Sequence, residues 1–325
     1  MSKEPQPQGE DRRPSALETP RPIHLGDLPH APAGREGWPW TRGTEAPADL
    51  ETVDWPLITI VTPSYQQASF VEECLRSVLL QGYPRLEYIV NDGGSTDGSA
   101  DIIARYAGHL AHWQSLRDRG QADAINQGFA RASGEIVGWV NSDDMLLPGA
   151  LFGAARAFIQ SGADIVYGDA LNAFEDAGTL EYWQGYWVIP SFLQFGGVIS
   201  SHAVFWKRSV HVPLWEDLNC NVDGELWQRL VPGRRLKYVP RPLGVCRVHG
   251  ETKSNAARWR EKWREDDAKI WARHGTPTKS RIFRHAFARI QRAFKWVNWR
   301  RDREGKRSVI AACQWSGRKW SGPQP

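Results

Sequence analysis

Three short apolar segments, each followed at once by small polar or acidic residues, constrain most strongly how this chain can fold. They cover residues 57–61, 86–90 and 135–140. Each is rich in β-branched and aromatic residues and has the length of a buried strand. Helical patterns separate them, which indicates parallel strands joined by right-handed crossovers. Ligands of such sheets bind at the carboxyl ends of the strands, so the polar residues there are expected to form one site.

The remaining pattern predicts an α/β fold: a Rossmann-like mixed, mainly parallel sheet flanked by helices. Residues 67–81 carry apolar side chains at helical period, and Gly82 and Pro84 end that helix. Further elements are predicted in chain order as a strand at 111–115, helices at 121–132 and 149–160, strands at 164–167 and 198–206, a helix at 223–230, and strands at 236–239 and 245–248.

Composition excludes several classes of protein. No apolar run approaches the ~20 residues that cross a bilayer, and the polar first ten residues show no signal peptide. The four cysteines lie far apart without C-x-x-C spacing, which disfavours a zinc site or a disulfide framework and suits a reducing cytoplasm. A net charge of +4 is too mild to indicate nucleic-acid binding.

Three regions differ in composition. Residues 1–55 hold nearly half of the prolines and few large aliphatic residues, which predicts a disordered arm. Residues 56–255 are expected to form the globular domain, divided at about 169, and residues 256–325 form a basic helical tail. The tail helix either packs on its own domain or lies on an anionic membrane surface. Its aromatic and aliphatic face comprises Phe283, Phe287, Ile290, Phe294 and Val297, and its basic residues include Arg281, Arg284, Arg289, Arg292 and Lys295.

Asp143 and Asp144 directly follow the third strand, with Asn141 two positions earlier. Adjacent carboxylates at a strand end are ligands for Mg²⁺ or Mn²⁺, which are commonly held by one or two carboxylates and substrate phosphates. The alternative is a helix cap, because Asp144 precedes the predicted helix at 149–160.

Asp92 ends the second strand and opens the Gly-rich segment 93–99. A carboxylate there accepts hydrogen bonds from a ligand, as acidic residues do for ribose in nucleotide folds. It is equally explained as a turn residue. Neither G-x-G-x-x-G after a strand nor G-x-x-x-x-G-K-[ST] occurs, which counts against a dinucleotide dehydrogenase and a P-loop enzyme.

The segments 58–65, 88–99 and 134–144, taken together and in that order, closely resemble the nucleotide-sugar-binding half of family 2 glycosyltransferases, which have the type-A glycosyltransferase fold. The resemblance is strong from Leu57 to about Asp169 and weaker to about Ser254. It implies that Asp143 and Asp144 bind the metal on the sugar-nucleotide diphosphate, with Asp144 as the preferred ligand. One departure is that Asn141 replaces the first aspartate of the family's D-x-D region. The resemblance implies donor-binding roles for Thr62, Ser64, Tyr65, Asp92, Gln121, Asp123, Asn126 and Asp143, with Arg119 in the same segment.

The second half resembles the acceptor side of the same family. Asp223 matches the position of the catalytic base, which takes a proton from the attacking acceptor hydroxyl. Asp223 is also explained as a helix N-cap, and Glu225 is a rival base. His249 resembles a late motif that closes over the diphosphate and is a candidate metal ligand, with Lys253 as a phosphate contact. His202 matches a position that faces the sugar.

These features predict an inverting glycosyltransferase that uses Mn²⁺ or Mg²⁺ and a nucleotide diphosphate-sugar, with UDP as the favoured nucleotide. The acceptor is expected to be a hydroxyl of a glycan or a lipid-linked molecule, and the location the cytoplasm or the inner membrane face. One alternative is a nucleotidyltransferase, which would normally carry a Gly-rich basic loop after the first strand. The other is a sugar-nucleotide or glycan-binding module without catalysis, which the Asn141 departure keeps open.

Overall fold

The computed structural model describes residues 21–183, 185, 188–195, 199–253, 257–277 and 280–301. Within them the chain forms one nine-stranded sheet with helices on both faces, which confirms the α/β prediction. The strands are β1 (Ile58–Ser64), β2 (Leu86–Asp92), β3 (His112–Ser115), β4 (Ile136–Trp139), β5 (Met145–Leu146), β6 (Ile165–Phe174), β7 (Thr179–Trp183), β8 (Val204–Lys207) and β9 (Leu236–Val248). The helices are α1 (Val71–Leu79), α2 (Ser99–Arg105), α3 (Gln121–Arg131), α4 (Ala150–Ser161), α5 (Val222–Leu230), α6 (Arg260–His274) and α7 (Arg281–Arg301).

The sheet order is β3-β2-β1-β4-β8-β6-β9-β5, and β7 pairs with β6 outside this path. Strands β1 to β4 are parallel, with β1 between β2 and β4. Their carboxyl ends therefore point the same way, as the polar residues after each strand predicted. The antiparallel strand β8 joins this half to β6 and β9, so the sheet is mixed.

Two apolar layers cover the sheet because consecutive side chains of a strand point to opposite faces. Ile58 and Ile60 of β1 pack with helices α1, α2 and α4, whereas Val61 packs with helices α3 and α5. All three side chains are fully buried. β1 is buried on both faces, as central parallel strands are.

The segment preceding β1 folds onto the domain, which corrects the predicted disordered arm for residues 21–55; residues 1–20 lie outside the described residues. Trp38, Trp40 and Trp55 are each at most 4% exposed. The Trp38 indole N–H donates to the Leu146 carbonyl at 3.0 Å. The buried Arg76 guanidinium donates to main-chain carbonyls of this segment at Pro29, Pro39 and Trp40. The three indoles of this segment are large apolar groups, and their burial stabilises the fold of a segment that contains few aliphatic residues.

The second half differs from its predicted elements in two places. Residues Ser201–Ala203 form a 3₁₀ turn before β8, not part of the predicted strand at 198–206. The two strands predicted at 236–239 and 245–248 are one long strand, β9, whose pairing with β6 shifts register at Asp169. The register shift accommodates residues 240–242, which contain two prolines. The sequence pattern predicted that these residues separate two strands.

The helices after residue 255 also contact the domain. Ile270 of α6 is buried in the layer that contains α5. Phe283 and Phe287 of α7 pack edge-on against Phe192, and Phe294 contacts the ring of Tyr238. The aromatic face of α7 is therefore partly covered by its own domain. Among the described residues, no helix is both long and apolar enough to cross a membrane.

Candidate active site

The ends of β1 and β2 form one wall of the site. Asp92 is 1% exposed, and its carboxylate accepts hydrogen bonds from the Ser95 main-chain N–H and from the hydroxyls of Ser95 and Ser115. Ser64 lies directly opposite Asp92 in the strand register. The buried Ser64 hydroxyl has no hydrogen-bond partner among the described residues. Asp92 therefore stabilises the loop that follows β2, and the Ser64 hydroxyl beside it has no hydrogen-bond partner among the described residues.

The loops after these two strands are bonded to each other. The main-chain N–H of Gln66 donates to the Ser95 hydroxyl at 2.8 Å, and that of Gln67 donates to the Ser99 hydroxyl at 2.9 Å. Gln66 adopts φ = +55°, a left-handed conformation that only few non-glycine residues take. The Ser, Thr and Asp residues of segment 93–99 therefore serve chiefly to shape this wall.

The acidic loop after β4 lies beside the end of β9. Asp143 Oδ2 is 3.4 Å from Nε2 of His249, whose ring packs against Phe70 with centroids 4.6 Å apart. Asp143 remains partly exposed to the cleft, at 21% of its side chain. Both predicted metal ligands on these two loops are therefore brought together.

Asp144 is held more deeply than Asp143. The antiparallel pairing of β5 with β9 matches Met145 with Val245, which places Asp144 opposite Cys246. Its carboxylate accepts from the Arg247 main-chain N–H at 3.1 Å and from the Asn141 amide at 3.1 Å. Burial raises the pKa of Asp144 well above its ordinary value, and the neighbouring Asp143 raises it further. A bound cation would relieve the cost of that buried negative charge.

A polar chain extends the acidic loop across the cleft. The Gln121 amide donates to Asn141 Oδ1 at 2.7 Å, and Lys253 Nζ donates to Gln121 Oε1 at 2.9 Å. Lys253 also donates to the Asn219 carbonyl at 2.9 Å. Burial lowers the pKa of Lys253, and the nearby Asp143 opposes this shift. Lys253 is therefore a positive group facing the acidic loop.

Helix α5 carries Asp223 in its first turn. The stacked indoles of Trp139 and Trp227, with centroids 5.6 Å apart, fix α5 against β4. Burial raises the pKa of Asp223, in the direction that strengthens a general base. Asp223 also raises the pKa of the Cys246 thiol, after the larger effects of burial, Asp144 and Asp143. All three carboxylates therefore act on the same thiol.

The rival base, Glu225, has a different role. It is fully buried and forms ion pairs with Arg229 at 2.5 Å and with His274 at 3.0 Å. Glu225 is therefore engaged by these two partners, and Asp223 is the better candidate for the base. The N-cap interpretation of Asp223 is not supported either, because α5 begins at Val222 and its N-cap residue is Asn221.

A buried carboxylate positions the loop that leads into α5. Asp266 of α6 is 0% exposed and accepts the main-chain N–H groups of Asn219, Cys220 and Asn221 at 2.6–3.1 Å. Such multiple charge-assisted bonds hold a loop more firmly than neutral ones. Asp266 therefore links α6, which was assigned to the tail, to the position of Asp223.

Four predicted donor-binding side chains have other surroundings in the structure, and their donor-binding roles stay predictions. The buried Thr62 hydroxyl bonds to Tyr88 at 2.9 Å, because Thr62 faces the α1 layer. Asn126 bonds to the main chain of Leu214 through both of its side-chain polar groups. Asp123 forms an ion pair with Arg119 at 2.9 Å. Tyr65 is 61% exposed, with no contact that joins it to the acidic loop.

Two residues near the acidic groups were not predicted from the sequence as site residues. Asp118 lies over Gly93, where an added Cβ would meet its Oδ2 at 2.8 Å, and its charge acts on Lys253. Cys246 lies among Asp143, Asp144 and Asp223. Asp118 stands in a charged turn, and Cys246 in an apolar strand. The local sequence around each residue does not indicate a functional site, because the location of both side chains depends on contacts between distant segments.

Comparison with known proteins agrees with this geometry. A family model described as Glycosyl transferase family 2 matches residues 59–203. We call residues 59–203 the family 2 segment, because they match the model of that family. The family 2 segment contains β1 to β4 and the acidic loop, whereas Asp223, Cys246 and His249 lie beyond the match.

Curated relatives are similar over parts of the chain. The putative teichuronic acid biosynthesis glycosyltransferase TuaG of Bacillus subtilis (strain 168) is 36% identical over 94 residues, which cover 27% of this chain and 36% of the relative. The O-antigen biosynthesis protein RfbC of Myxococcus xanthus is 36% identical over 148 residues, 43% of this chain and 11% of the relative. The chain thus spans about a third, or less, of the length of these relatives.

Two solved structures share the fold. S. aureus TarS 1-349 in complex with UDP-GlcNAc has a TM-score of 0.52 and 18% identity, covering 66% of each chain. The mannosyltransferase PcManGT from Pyrobaculum calidifontis, in complex with GDP-Man and Mn²⁺, has a TM-score of 0.50 and 19% identity, covering 84% of this chain and 77% of that one. These likenesses establish the type-A glycosyltransferase fold for the family 2 segment and the elements around it.

Proposed function

We propose that the chain is an inverting glycosyltransferase, which moves a sugar from a nucleotide diphosphate-sugar to a hydroxyl of a glycan, polysaccharide or glycolipid. The observation that carries the proposal is that three carboxylates act on one thiol, that of Cys246: Asp143 and Asp144 from the loop after β4, and Asp223 from α5. The first two lie beside His249 and Lys253, and the third acts on the thiol that lies next to Asp144.

Asp223 supplies the proton acceptor. The acceptor oxygen forms a bond to the anomeric carbon as the bond from that carbon to the diphosphate oxygen breaks. The acceptor proton passes to the Asp223 carboxylate, and the nucleoside diphosphate leaves with the bonding electrons. A single displacement inverts the configuration, and no protein nucleophile is needed.

Asp143, Asp144 and His249 would hold a divalent cation. Their carboxylate and imidazole donors suit Mn²⁺ or Mg²⁺. Burial raises the pKa of Asp144 because it disfavours the charged carboxylate, which a cation would stabilise. When bound, the ion neutralises charge on the leaving diphosphate. Lys253 supplies a fixed positive charge from the opposite side of the acidic loop.

The Asn141 departure is compatible with this arrangement. Asn141 donates to Asp144 and accepts from Gln121, so it orients a ligand instead of ligating. That role weakens the alternative of a binding module without catalysis. The nucleotidyltransferase alternative lacks its expected loop, since residues 62–69 contain neither glycine nor a basic residue.

UDP is the nucleotide we favour, with GDP and dTDP as the alternatives. TarS was solved with UDP-GlcNAc and PcManGT with GDP-Man, so both bases occur among proteins of this fold. The uncommitted Ser64 hydroxyl beside Asp92 is the polar group available to a nucleoside.

A thermal-shift series tests the donor class. UDP, GDP and dTDP are each added to the full chain with and without Mn²⁺, and the expected result is stabilisation by one nucleotide only when metal is present. Asp144→Asn should abolish the metal-dependent part. Stabilisation by none of the three nucleotides would overturn the proposal, and equal stabilisation without metal would overturn the metal site.

The exposed side of α7 supports contact with the inner membrane face. Ile282 and Trp296 are 84% and 59% exposed, and the exposed Arg289 and Arg292 lie on the same helix. Exposed apolar and basic residues on one helix favour anionic lipid. The full chain should float with vesicles of anionic lipid and not with neutral ones, and Ile282→Glu should reduce flotation. No binding to anionic vesicles would refute this partner.

A further inference from the structure

The site contains a second set of metal-binding atoms, which shares only Asp144 with the proposed Mn²⁺ position. Asp144, His202 and Cys246 each offer one ligand atom, and these atoms all lie within 4.8 Å of one another. Three different elements supply them: the loop before β5, the 3₁₀ turn before β8, and strand β9. The set combines oxygen, nitrogen and sulfur, whereas Asp143 and His249 offer no sulfur.

His202 is the clearest sign that this set is built for a ligand. It is 6% exposed, and its Nε2 has no hydrogen-bond partner among the described residues. Its Nδ1 lies 3.8 Å from Asp144 Oδ2, too far for a good hydrogen bond. A buried ring nitrogen without a partner is costly, and a bound ion would remove that cost.

A glycine in β9, Gly244, allows the main chain of His202 to approach the strand closely. A Cβ added at Gly244 would lie 2.2 Å from the His202 carbonyl oxygen, so only glycine fits at that position. The pairing that sets Met145 opposite Val245 also brings Asp144 next to Cys246. Two features of β9 thus position the three ligands together.

From this we propose that Asp144, His202 and Cys246 bind a thiophilic divalent ion such as Zn²⁺. Tetrahedral zinc with bonds of about 2.0–2.3 Å places its ligand atoms about 3.3–3.6 Å apart. The ligands reach that spacing by side-chain rotation and movements on the order of 1 Å. Three protein ligands leave a fourth position for water or another group. The thiol loses its proton to solvent when the ion binds, as metal-bound cysteines do.

The spacing of the cysteines in the chain gives no hint of this site. Its ligands are separated by 58 and 44 residues (202 − 144 and 246 − 202), so no short motif contains two of them. The site shares Asp144 with the Mn²⁺ position, and the two ions would therefore compete for that carboxylate. This last consequence rests on the proposed function, whereas the binding of the ion does not.

Cobalt spectroscopy of the full chain tests the site directly. Under reducing conditions without other metals, one equivalent of Co²⁺ should produce a near-ultraviolet thiolate-to-cobalt charge-transfer absorption, and Zn²⁺ should abolish it. Cys246→Ser should remove the absorption, and His202→Gln should weaken Co²⁺ binding at least tenfold. The matched controls Cys74→Ser, Cys220→Ser and Cys313→Ser should retain it. Unchanged thermal melting of the metal-free variants shows that they are folded.

Absence of the absorption in the wild type, or its persistence in Cys246→Ser, would overturn the proposal. The measurement uses no nucleotide or acceptor, so its outcome is independent of glycosyl transfer. The competition has its own readout. In the wild type, Zn²⁺ should reduce the Mn²⁺-dependent thermal stabilisation by nucleotide. In Cys246→Ser that reduction should be at least tenfold smaller. If no nucleotide binds under any condition, the proposed function fails while the cobalt spectrum still decides the ion site.

Discussion

His249 Nε2 lies 3.4 Å from Asp143 Oδ2, although the two residues are 106 positions apart in the chain. The contact joins the loop after β4 to the end of β9. The main-chain N–H of His249 donates to the Thr252 hydroxyl at 2.9 Å, which keeps the turn after β9 compact. The acidic loop inside the family 2 segment is therefore completed by residues beyond residue 203, outside the family match.

Replacing Asp223 by Asn should lower the turnover of glycosyl transfer about 10²–10⁴-fold, the contribution of a general base. The amide keeps the shape of the side chain but cannot accept the acceptor proton. The affinity for the nucleotide donor, measured by calorimetry, should change less than threefold. The control is Asp176→Asn, on the exposed turn between β6 and β7, which should retain full turnover. Full activity of Asp223→Asn would exclude it as the base.

Trp38→Ala should lower the free energy of unfolding by about 3–5 kcal/mol, the usual cost of truncating a buried aromatic residue. Trp38 is 1% exposed and donates to the carbonyl of Leu146, so the change leaves both a cavity and a carbonyl without its donor. Urea unfolding measures the loss. Trp271→Ala on α6 is the control, because that indole is 42% exposed and should cost below about 1 kcal/mol. Similar losses for both would show that residues 21–55 do not stabilise the domain.

Gly128→Ala should destabilise the domain by about 1–3 kcal/mol, the range for overpacked cores. Its new Cβ would lie 2.4 Å from Cγ1 of Val61, where α3 crosses β1. Thermal unfolding checks the effect. The double variant Gly128→Ala/Val61→Ala should recover part of the loss, because the added methyl group enters the space that the valine vacates. Gly108→Ala is the control, since an added Cβ there meets no atom within 4 Å.

His211 should make stability fall as the pH decreases from 6.5 towards 4. Burial and, to a smaller extent, the charge of Arg229 lower the pKa of His211 to about 4. Below its ordinary pKa of 6.5, the unfolded chain binds a proton that the folded chain does not. Discounted for partial exposure, this removes about 1 kcal/mol of stability between pH 7 and pH 5. His211 contacts the rings of Phe129 and Trp206, which explains its burial.

The measurement for His211 is urea unfolding at pH 7 and pH 5. His211→Phe should flatten the pH dependence by about 1 kcal/mol, because phenylalanine cannot bind a proton. The exposed His30 offers a matched control, and His30→Phe should leave the pH dependence of the wild type unchanged. An equally steep dependence in His211→Phe would show that another group is responsible.

The sequence alone predicted the family 2 half of the molecule well. Short apolar segments located β1, β2 and β4 to within three residues at each end, because burial on both faces of a parallel sheet leaves a continuous apolar run. The same logic placed Asp143 and Asp144 at a strand end. It did not show that the Thr62 hydroxyl bonds to Tyr88, since a strand end alone does not say which face a side chain takes.

Local sequence determined which segments are strands and helices, and the acidic residues that follow them. Tertiary structure alone decided which distant groups meet: His249 with Asp143, Cys246 and His202 with Asp144, and the indoles of residues 21–55 with the core. The physical reason is that burial patterns arise within a few residues of one element. Contacts between elements depend on strand register and helix packing, which the whole folded chain sets together.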